Sequence, residues 1–187
     1  IEVNDLAQGS EFNFAHLSAS EIERAEIIRG PQSALWGSDA LGGVINITTR
    51  RGKGALNISG FAEGGSFGTS HSGGSLSGGA DNYHFNIAGS YIKSSGDNIS
   101  RDNDEDDGYE NGSVTFSAGY SPLTNLSFDI VSRFTEANNE FDGIGVTGLP
   151  ADSDSETKTS QNYSRIQANL SLYEGVWTHK AGIALSN

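Results

Sequence analysis

The sequence predicts a mainly β protein, most of it an open fragment of an antiparallel transmembrane β-barrel. Three observations predict this. From Leu56 onward, roughly ten-residue segments of alternating polarity are separated by turn residues, as in strands that meet lipid on one face and a polar interior on the other. Short and long connections between these segments alternate, with short turns at 80–82, 122–125 and 174–175 and long polar loops at 96–108 and 139–160. No apolar run approaches the roughly 18 residues of a membrane helix, so a chain of this kind spans a membrane only with strands.

Taken in order, Ile1 to Glu21 is polar and weakly patterned, with Phe12, Phe14 and Leu17 its best candidates for burial. In the next stretch, Ile22, Ala25, Ile27 and Ile28 sit among Glu23, Arg24, Glu26 and Arg29, a short strand pattern. Arg29-Gly30-Pro31 ends it, because proline fixes its own φ and pushes the preceding residue away from helix, which glycine tolerates. Gln32 to Trp36 is long enough for one or two helical turns, with Gly37 placed for a left-handed C-cap and Ser38-Asp39 placed to cap the next turn. Gly42-Gly43 reverses the chain again, and the β-branched run Val44 to Thr49 reads as a buried strand. Gly37 to Gly43 is no phosphate loop, since Gly43 stands where the lysine of such a loop is needed.

Ile22 to Thr49 closely resembles the C-terminal half of the plug domain of TonB-dependent outer-membrane receptors. The matching residues are Ile22, Glu23, Arg24, Glu26, Arg29, Gly30, Pro31, Ser33, Leu35, Trp36, Gly37, Ala40, Gly42, Gly43, Val44, Ile45, Asn46, Ile47 and Thr49. Ala25 departs from the branched apolar residue usual in the family. The resemblance implies that 1–50 is the C-terminal part of an α+β plug, 51–55 a plug–barrel linker, and 56–187 the first seven strands of a barrel that has about 22 in the family. It also implies that Glu23 and Arg29 pair with charges on the barrel wall, and that an energy-coupling segment and the earlier plug strands lie upstream of residue 1. Arg50, Arg51 and Lys53, three of the eleven basic residues, fit a solvated turn on the periplasmic side.

Seven strand segments follow. Leu56 to Gly65 puts Leu56, Ile58, Gly60 and Ala62 on one face, with Phe61 breaking the alternation. Thr69 to Gly79 is so rich in Gly and Ser that its register is weakly specified. In the third, Tyr83, Phe85, Ile87, Gly89 and Tyr91 oppose His84, Asn86, Ala88 and Ser90. Its terminal tyrosines are set about 19 Å apart in membrane depth by strand rise and tilt, a spacing suited to two aromatic girdles. The fourth, Tyr109 to Ser121, alternates Val114, Phe116, Ala118 and Tyr120 with Thr115, Ser117 and Gly119. The fifth sets Leu126, Phe128, Ile130 and Phe134 against Ser127, Asp129, Arg133 and Thr135, so its inward face is charged. The sixth, Gln161 to Tyr173, and the seventh, from Val176, repeat the pattern, with Ile166, Leu170, Trp177 and Ile183 outward. Seven strands leave two open edges, which lipid does not tolerate, so the predicted sheet is part of a larger one.

The two long loops hold the candidate site. Asp97, Asp102, Asp104, Glu105, Asp106 and Asp107 crowd the first, and Asp142, Asp152, Asp154 and Glu156 the second. Acidic loops are commonly just solvated, but dense carboxylates in flexible loops also suit calcium, which takes hard oxygen ligands. Ser95-Gly96-Asp97, Glu105-Asp106-Asp107-Gly108-Tyr109 and Phe141-Asp142-Gly143 resemble the cobalamin-receptor branch of the family. That resemblance implies calcium on Asp97, Glu105, Asp107, Asp142 and one of Asp152 or Asp154, Glu105 replacing the usual aspartate. It further implies energised uptake of a scarce nutrient, with outer-membrane lipid, the TonB energy-coupling complex and the nutrient as partners.

Composition narrows the alternatives. A formal charge of −13 argues against a nucleic acid partner, and the lack of any cysteine removes thiol catalysis and thiolate metal sites. The lack of any methionine, at position 1 or elsewhere, argues that this is not a native start. His16, His71, His84 and His179 are scattered, and no pairing of nucleophile and base suggests an enzyme. A ferric-siderophore receptor of the same family is the alternative for the substrate. A soluble calcium-binding β adhesion module accounts for the acidic loops but not for 22–49.

Overall fold

The computed structural model describes residues 14–37, 40–97, 106–144 and 150–187. It contains two antiparallel sheets. The smaller is a hairpin of β1 (Ile22–Arg29) and β2 (Gly43–Thr49). Between them lies the four-residue helix α1 (Ser33–Trp36). The larger is an open meander of seven strands, β3 (Asn57–Gly64), β4 (Ser70–Ala80), β5 (Tyr83–Ser94), β6 (Tyr109–Leu123), β7 (Leu126–Ile144), β8 (Pro150–Leu172) and β9 (Trp177–Ser186), in sequence order. Among the described residues no helix is long and apolar enough to cross a membrane.

The hairpin follows the sequence reading. Ile27 pairs with Ile45 and Glu26 with Asn46. Gly30 has φ 96°, which any side chain would resist, and so allows the turn into Pro31. Gly37 ends α1 at φ 94° and ψ 177°, a conformation essentially reserved for glycine but not the left-handed cap that the spacing suggests. Ser38 and Asp39 lie outside the described residues. A Cβ on Gly43 would stand 2.5 Å from the Ile28 carbonyl oxygen, whereas Gly42 has open space around it.

The large sheet is inside-out relative to a water-soluble domain. Its buried side chains are mostly polar, including Asn86, Asn111, Ser113, Thr115, Ser117 and Thr135, whereas Tyr83, Ile87, Val114, Tyr120, Phe128, Phe134, Ile166 and Ile183 are exposed. Register makes this one surface: Ile87 pairs with Phe116, Val114 with Phe134, and Ile166 with Ile183. An apolar outer band over a polar interior is what a membrane barrel requires. Tyr83, Tyr120 and Phe128 form one aromatic row near the short turns. Tyr91 pairs with Gly112, so the other end lacks a matching aromatic row on these strands.

Three expectations change. The 139–160 segment is mostly paired, with Glu140 opposite Glu156 and Gly143 opposite Ala151, so β7 and β8 run well beyond the apolar band. Backbone pairing needs no apolar side chains, and outside lipid the polarity alternation that marks a strand disappears. Phe14 is 52% exposed and Leu17 only half-buried, while the buried residues of this segment are His16 and Glu21. The wall that they face is polar, so polar groups are the ones it covers; Phe12 lies outside the described residues. Finally, the Gly-rich β4 is fully registered with both neighbours. Phe61 breaks the alternation because its ring faces inward and lies over Gly73, against the edge of His71 at a centroid distance of 4.7 Å.

Candidate functional site

The inward positions of β6, every second residue from Tyr109 to Gly119, form a polar ladder. Segment 14–21 lies along it. His16 Nδ1 and the Tyr109 hydroxyl are 3.0 Å apart, with their rings stacked at 6°, and Asn111 Nδ2 stands 3.4 Å from the same nitrogen. Two steps along, the Ser113 hydroxyl donates to Glu21 Oε1 and the Thr115 hydroxyl to Glu21 Oε2, each at 2.5 Å. Ser117 then donates to the Arg50 carbonyl oxygen at 3.4 Å. One strand therefore holds the two chain segments that flank the hairpin.

β7 completes the site because register sets Thr115 opposite Arg133. The Arg133 guanidinium lies 3.8 Å from Glu21 Oε2 and donates to the His16 carbonyl oxygen at 2.7 Å. The Glu21 side chain is 1% exposed and that of Arg133 12%. A buried carboxylate persists only when paired and hydrogen-bonded, and Glu21 has one cation and two hydroxyl donors. The arrangement is a clamp between segment 14–21 and the wall, with no nucleophile–base pair in it.

His16 makes the clamp sensitive to acid. Burial, and secondarily the Arg133 charge, hold its pKa below the ordinary 6.5. A lowered folded pKa means that the unfolded state binds the proton first, so this contribution is complete above 6.5 and is lost as pH falls below it. In the intact protein, protection factors of the amides in residues 14–21, corrected for intrinsic exchange, should fall between about pH 7.5 and about pH 5.5. The fall should shrink in His16→Asn, and an equal fall in both proteins would exclude His16 as its source.

The linker is seated by a glycine. A Cβ on Gly52 would lie 1.9 Å from the Phe85 carbonyl oxygen and 2.4 Å from that of Gly78, so only glycine passes this close to the wall. Arg51 and Lys53 on either side are exposed, as a solvated turn requires. Glycine makes room once more at Gly119, over which the His84 ring lies, with Nε2 4.0 Å from Asp129 Oδ1.

Arg24 Nε lies 3.5 Å from Glu26, and Asn46 donates to Glu26 at 2.9 Å, so these three stay within the hairpin. Glu23 and Arg29 are exposed, and among the described residues no ion pair joins either to the large sheet. The charge clamped on the wall is Glu21, one residue before the recognisable motif. Its only signal in the sequence is the polar alternation of Asn111, Ser113, Thr115 and Ser117 that it meets.

The acidic loop residues gather at one end of the sheet. Asp97 is exposed just after β5, Asp107 half-buried just before β6, and Asp142 half-buried near the end of β7. A Cβ on Gly96 would overlap the Asp107 carbonyl, so the stems carrying Asp97 and Asp107 touch. Glu140, which sequence reasoning overlooked, accepts from the Gly108 amide at 3.0 Å. Glu105 lies outside the described residues, as do the side chains of Asp152 and Asp154, whose backbone belongs to β8. Among the described residues no three His, Asp or Glu side chains are grouped to hold a metal.

Comparison with known proteins agrees with this geometry. The family described as TonB-dependent Receptor Plug Domain matches residues 1–44. The vitamin B12 transporter BtuB of Photobacterium profundum is 31% identical over 147 residues, which is 76% of this chain and 24% of that protein. An iron-regulated outer membrane virulence protein of Vibrio cholerae is 73% identical over 30 residues, 16% of this chain and 5% of that protein. Among solved structures, the copper transporter OprC superimposes with a TM-score of 0.68 at 15% identity, over 92% of this chain and 26% of its own length, a likeness of fold. The chain thus spans about a quarter of the length of the B12 transporter that it matches. With a plug segment clamped on an open, inside-out antiparallel sheet, it belongs to the TonB-dependent receptors of the Gram-negative outer membrane.

Proposed function

We propose that this chain is part of a receptor for energised uptake of a cobalamin-class nutrient, with calcium ordering its outer loops. The observation that carries the reading is the reach of the similarity to the B12 transporter, which covers 76% of the chain and so extends beyond the plug into the strands and loops. In this reading residues 1–50 are plug, 51–55 linker and 56–187 barrel. Outer-membrane lipid, the nutrient and the TonB energy-coupling complex are the partners. Calcium is assigned to Asp97, Glu105, Asp107, Asp142 and Asp152 or Asp154. Contact between the Gly96 and Asp107 stems supports the first half of that set.

The test is equilibrium binding of cyanocobalamin to the intact receptor in detergent, with about millimolar calcium and again with chelator. Tight binding that chelator abolishes is the expected result, and Asp107→Asn should weaken it about tenfold by removing one anionic ligand. Binding indifferent to calcium would remove the metal and keep the substrate. Absence of binding would remove cobalamin and favour the second reading, a ferric-siderophore receptor, to which the match with an iron-regulated outer membrane protein points. A soluble adhesion module draws no support from the plug match or the open inside-out sheet.

A further inference from the structure

At the end of the sheet that carries the acidic residues, the strand connections are tied to one another. The Phe67 carbonyl oxygen accepts from the Ser95 amide at 2.9 Å and from the Ser94 hydroxyl at 3.3 Å. The Thr69 and Ser94 hydroxyls lie 3.0 Å apart, and the Gly96 amide donates to the Ser94 hydroxyl oxygen at 3.3 Å, which fixes the residue just before Asp97. Gly96, at φ 77°, then runs directly against Asp107, where any Cβ would overlap the carbonyl. The stems that carry Asp97 and Asp107 therefore meet through backbone.

β7 reaches this pair through Glu140. Tyr109 stands opposite Asn139, and Gly108 with Glu140 continues that ladder. The Glu140 amide donates to the Gly108 carbonyl oxygen at 2.9 Å, and the Gly108 amide donates to Glu140 Oε2 at 3.0 Å. Backbone and side chain of one residue thus hold both polar groups of Gly108. A Cβ on Gly108 would stand 2.6 Å from Oε2, so the clasp needs glycine there. In register with β8, Glu140 faces Glu156, and like charges across strands repel. Glu156 is taken up by Lys158 at 2.6 Å and by Asn138 at 3.4 Å, while Glu140 bonds to Gly108 on its other side. Just beyond, the β7–β8 register shifts between Phe141 and Gly143, at Asp142, and such irregularities re-aim a side chain. β5, β6 and β7 are interior strands, each paired along both edges, so these bonds belong to the sheet itself and not to an open edge.

We infer that Glu140 is a positioning residue for the calcium site proposed above: it seats the Asp107–Gly108 stem on β7 before any metal arrives, and so fixes the Asp97 and Asp107 stems relative to Asp142. The inference rests on that calcium reading. Gathering carboxylates around a cation costs chain entropy and mutual repulsion, and a stem already fixed by hydrogen bonds has less freedom to lose when the cation binds. Glu140 acts here through an acceptor oxygen on Gly108, not as a ligand.

The test compares three variants of the intact receptor in detergent, by equilibrium dialysis of calcium alone and by hydrogen exchange in chelator. Glu140→Ala removes the acceptor. Glu140→Gln keeps an acceptor oxygen without the charge, and Gly108→Ala pushes the carboxylate aside without changing any charge. The expected result is lost protection at the residue 108 amide in Glu140→Ala and Gly108→Ala, with calcium affinity about tenfold weaker in both. Glu140→Gln should restore most of what Glu140→Ala loses. Equal losses of calcium affinity in Glu140→Gln and Glu140→Ala, or parent-like binding in Gly108→Ala, would make the charge responsible and would overturn the inference. So would unchanged protection in Glu140→Ala, or unchanged calcium affinity despite lost protection. A parent receptor that binds no calcium overturns the metal reading itself, and the role of Glu140 with it, a result that no variant can mimic.

Discussion

Glu21→Ala is expected to detach segment 14–21 from the wall while leaving the strand meander intact. The substitution removes an anion that is 1% exposed and strands the Arg133 guanidinium, 12% exposed, beside two hydroxyls that lose their acceptor. Removing one member of a buried pair costs about 3–5 kcal/mol, because the remaining charge stays desolvated without compensation. The measurement is hydrogen exchange on the intact receptor in detergent. Amides of residues 14–22 and of Arg50, which donates to the Glu21 carbonyl oxygen, should lose most of their protection, and those of β5 to β8 should keep theirs. The double variant Glu21→Leu with Arg133→Met separates charge from packing. Replacing both partners by apolar groups of similar size is often close to neutral, so the double variant should recover much of the protection that Glu21→Ala loses. If Glu21→Ala exchanges like the parent, the clamp contributes nothing to docking.

The second large effect is expected at Gly52→Val. The first side-chain carbon alone would lie 1.9 Å and 2.4 Å from two carbonyl oxygens and 2.7 Å from a backbone nitrogen, all belonging to β4 and β5. Overpacking commonly costs about 1–3 kcal/mol when side chains can yield, and here the obstacles are backbone atoms of a paired sheet. The linker must therefore lift off, breaking the bond from the Gly79 amide to the Gly54 carbonyl oxygen. Accelerated exchange at the Gly79 amide, together with a lower temperature for loss of the folded form on heat-modifiable electrophoresis, is the expected result. Gly54→Ala is the control. Gly54 has φ 67° and open space around it, so alanine there meets backbone strain of about 1 kcal/mol and no clash. Equal effects at the two positions would mean that close approach to the wall is not what makes Gly52 necessary.

The legible parts of this chain are those in which one residue's chemistry settles its own environment. Gly30-Pro31 ends a strand without reference to anything distant, and the alternation Tyr83, Phe85, Ile87 declares which face meets lipid. Beyond the apolar band that rule stops working. Residues 139–144 and 150–160 alternate nothing, yet they pair, because a ladder continues wherever its partner does. The candidate site was legible only in kind. The resemblance implied plug charges held by the barrel wall, and the plug charge that these seven strands clamp is Glu21, in a segment whose sequence suggested burial of Phe14 instead.

The sequence by itself determined the strands, their inner and outer faces, the turns between most of them and the family, because backbone restriction and polarity period are properties of neighbouring residues. Only the tertiary structure decided which strand meets the plug and through which groups. Glu21 touches Thr115 and Arg133 because the chain folds back over a sequence separation of 94 and because cross-strand register sets Thr115 opposite Arg133. A glutamate bound for a solvated surface and one bound for a buried clamp look alike in a sequence. What separates them is the cost of removing a charge from water, and that cost is met only where distant donors converge.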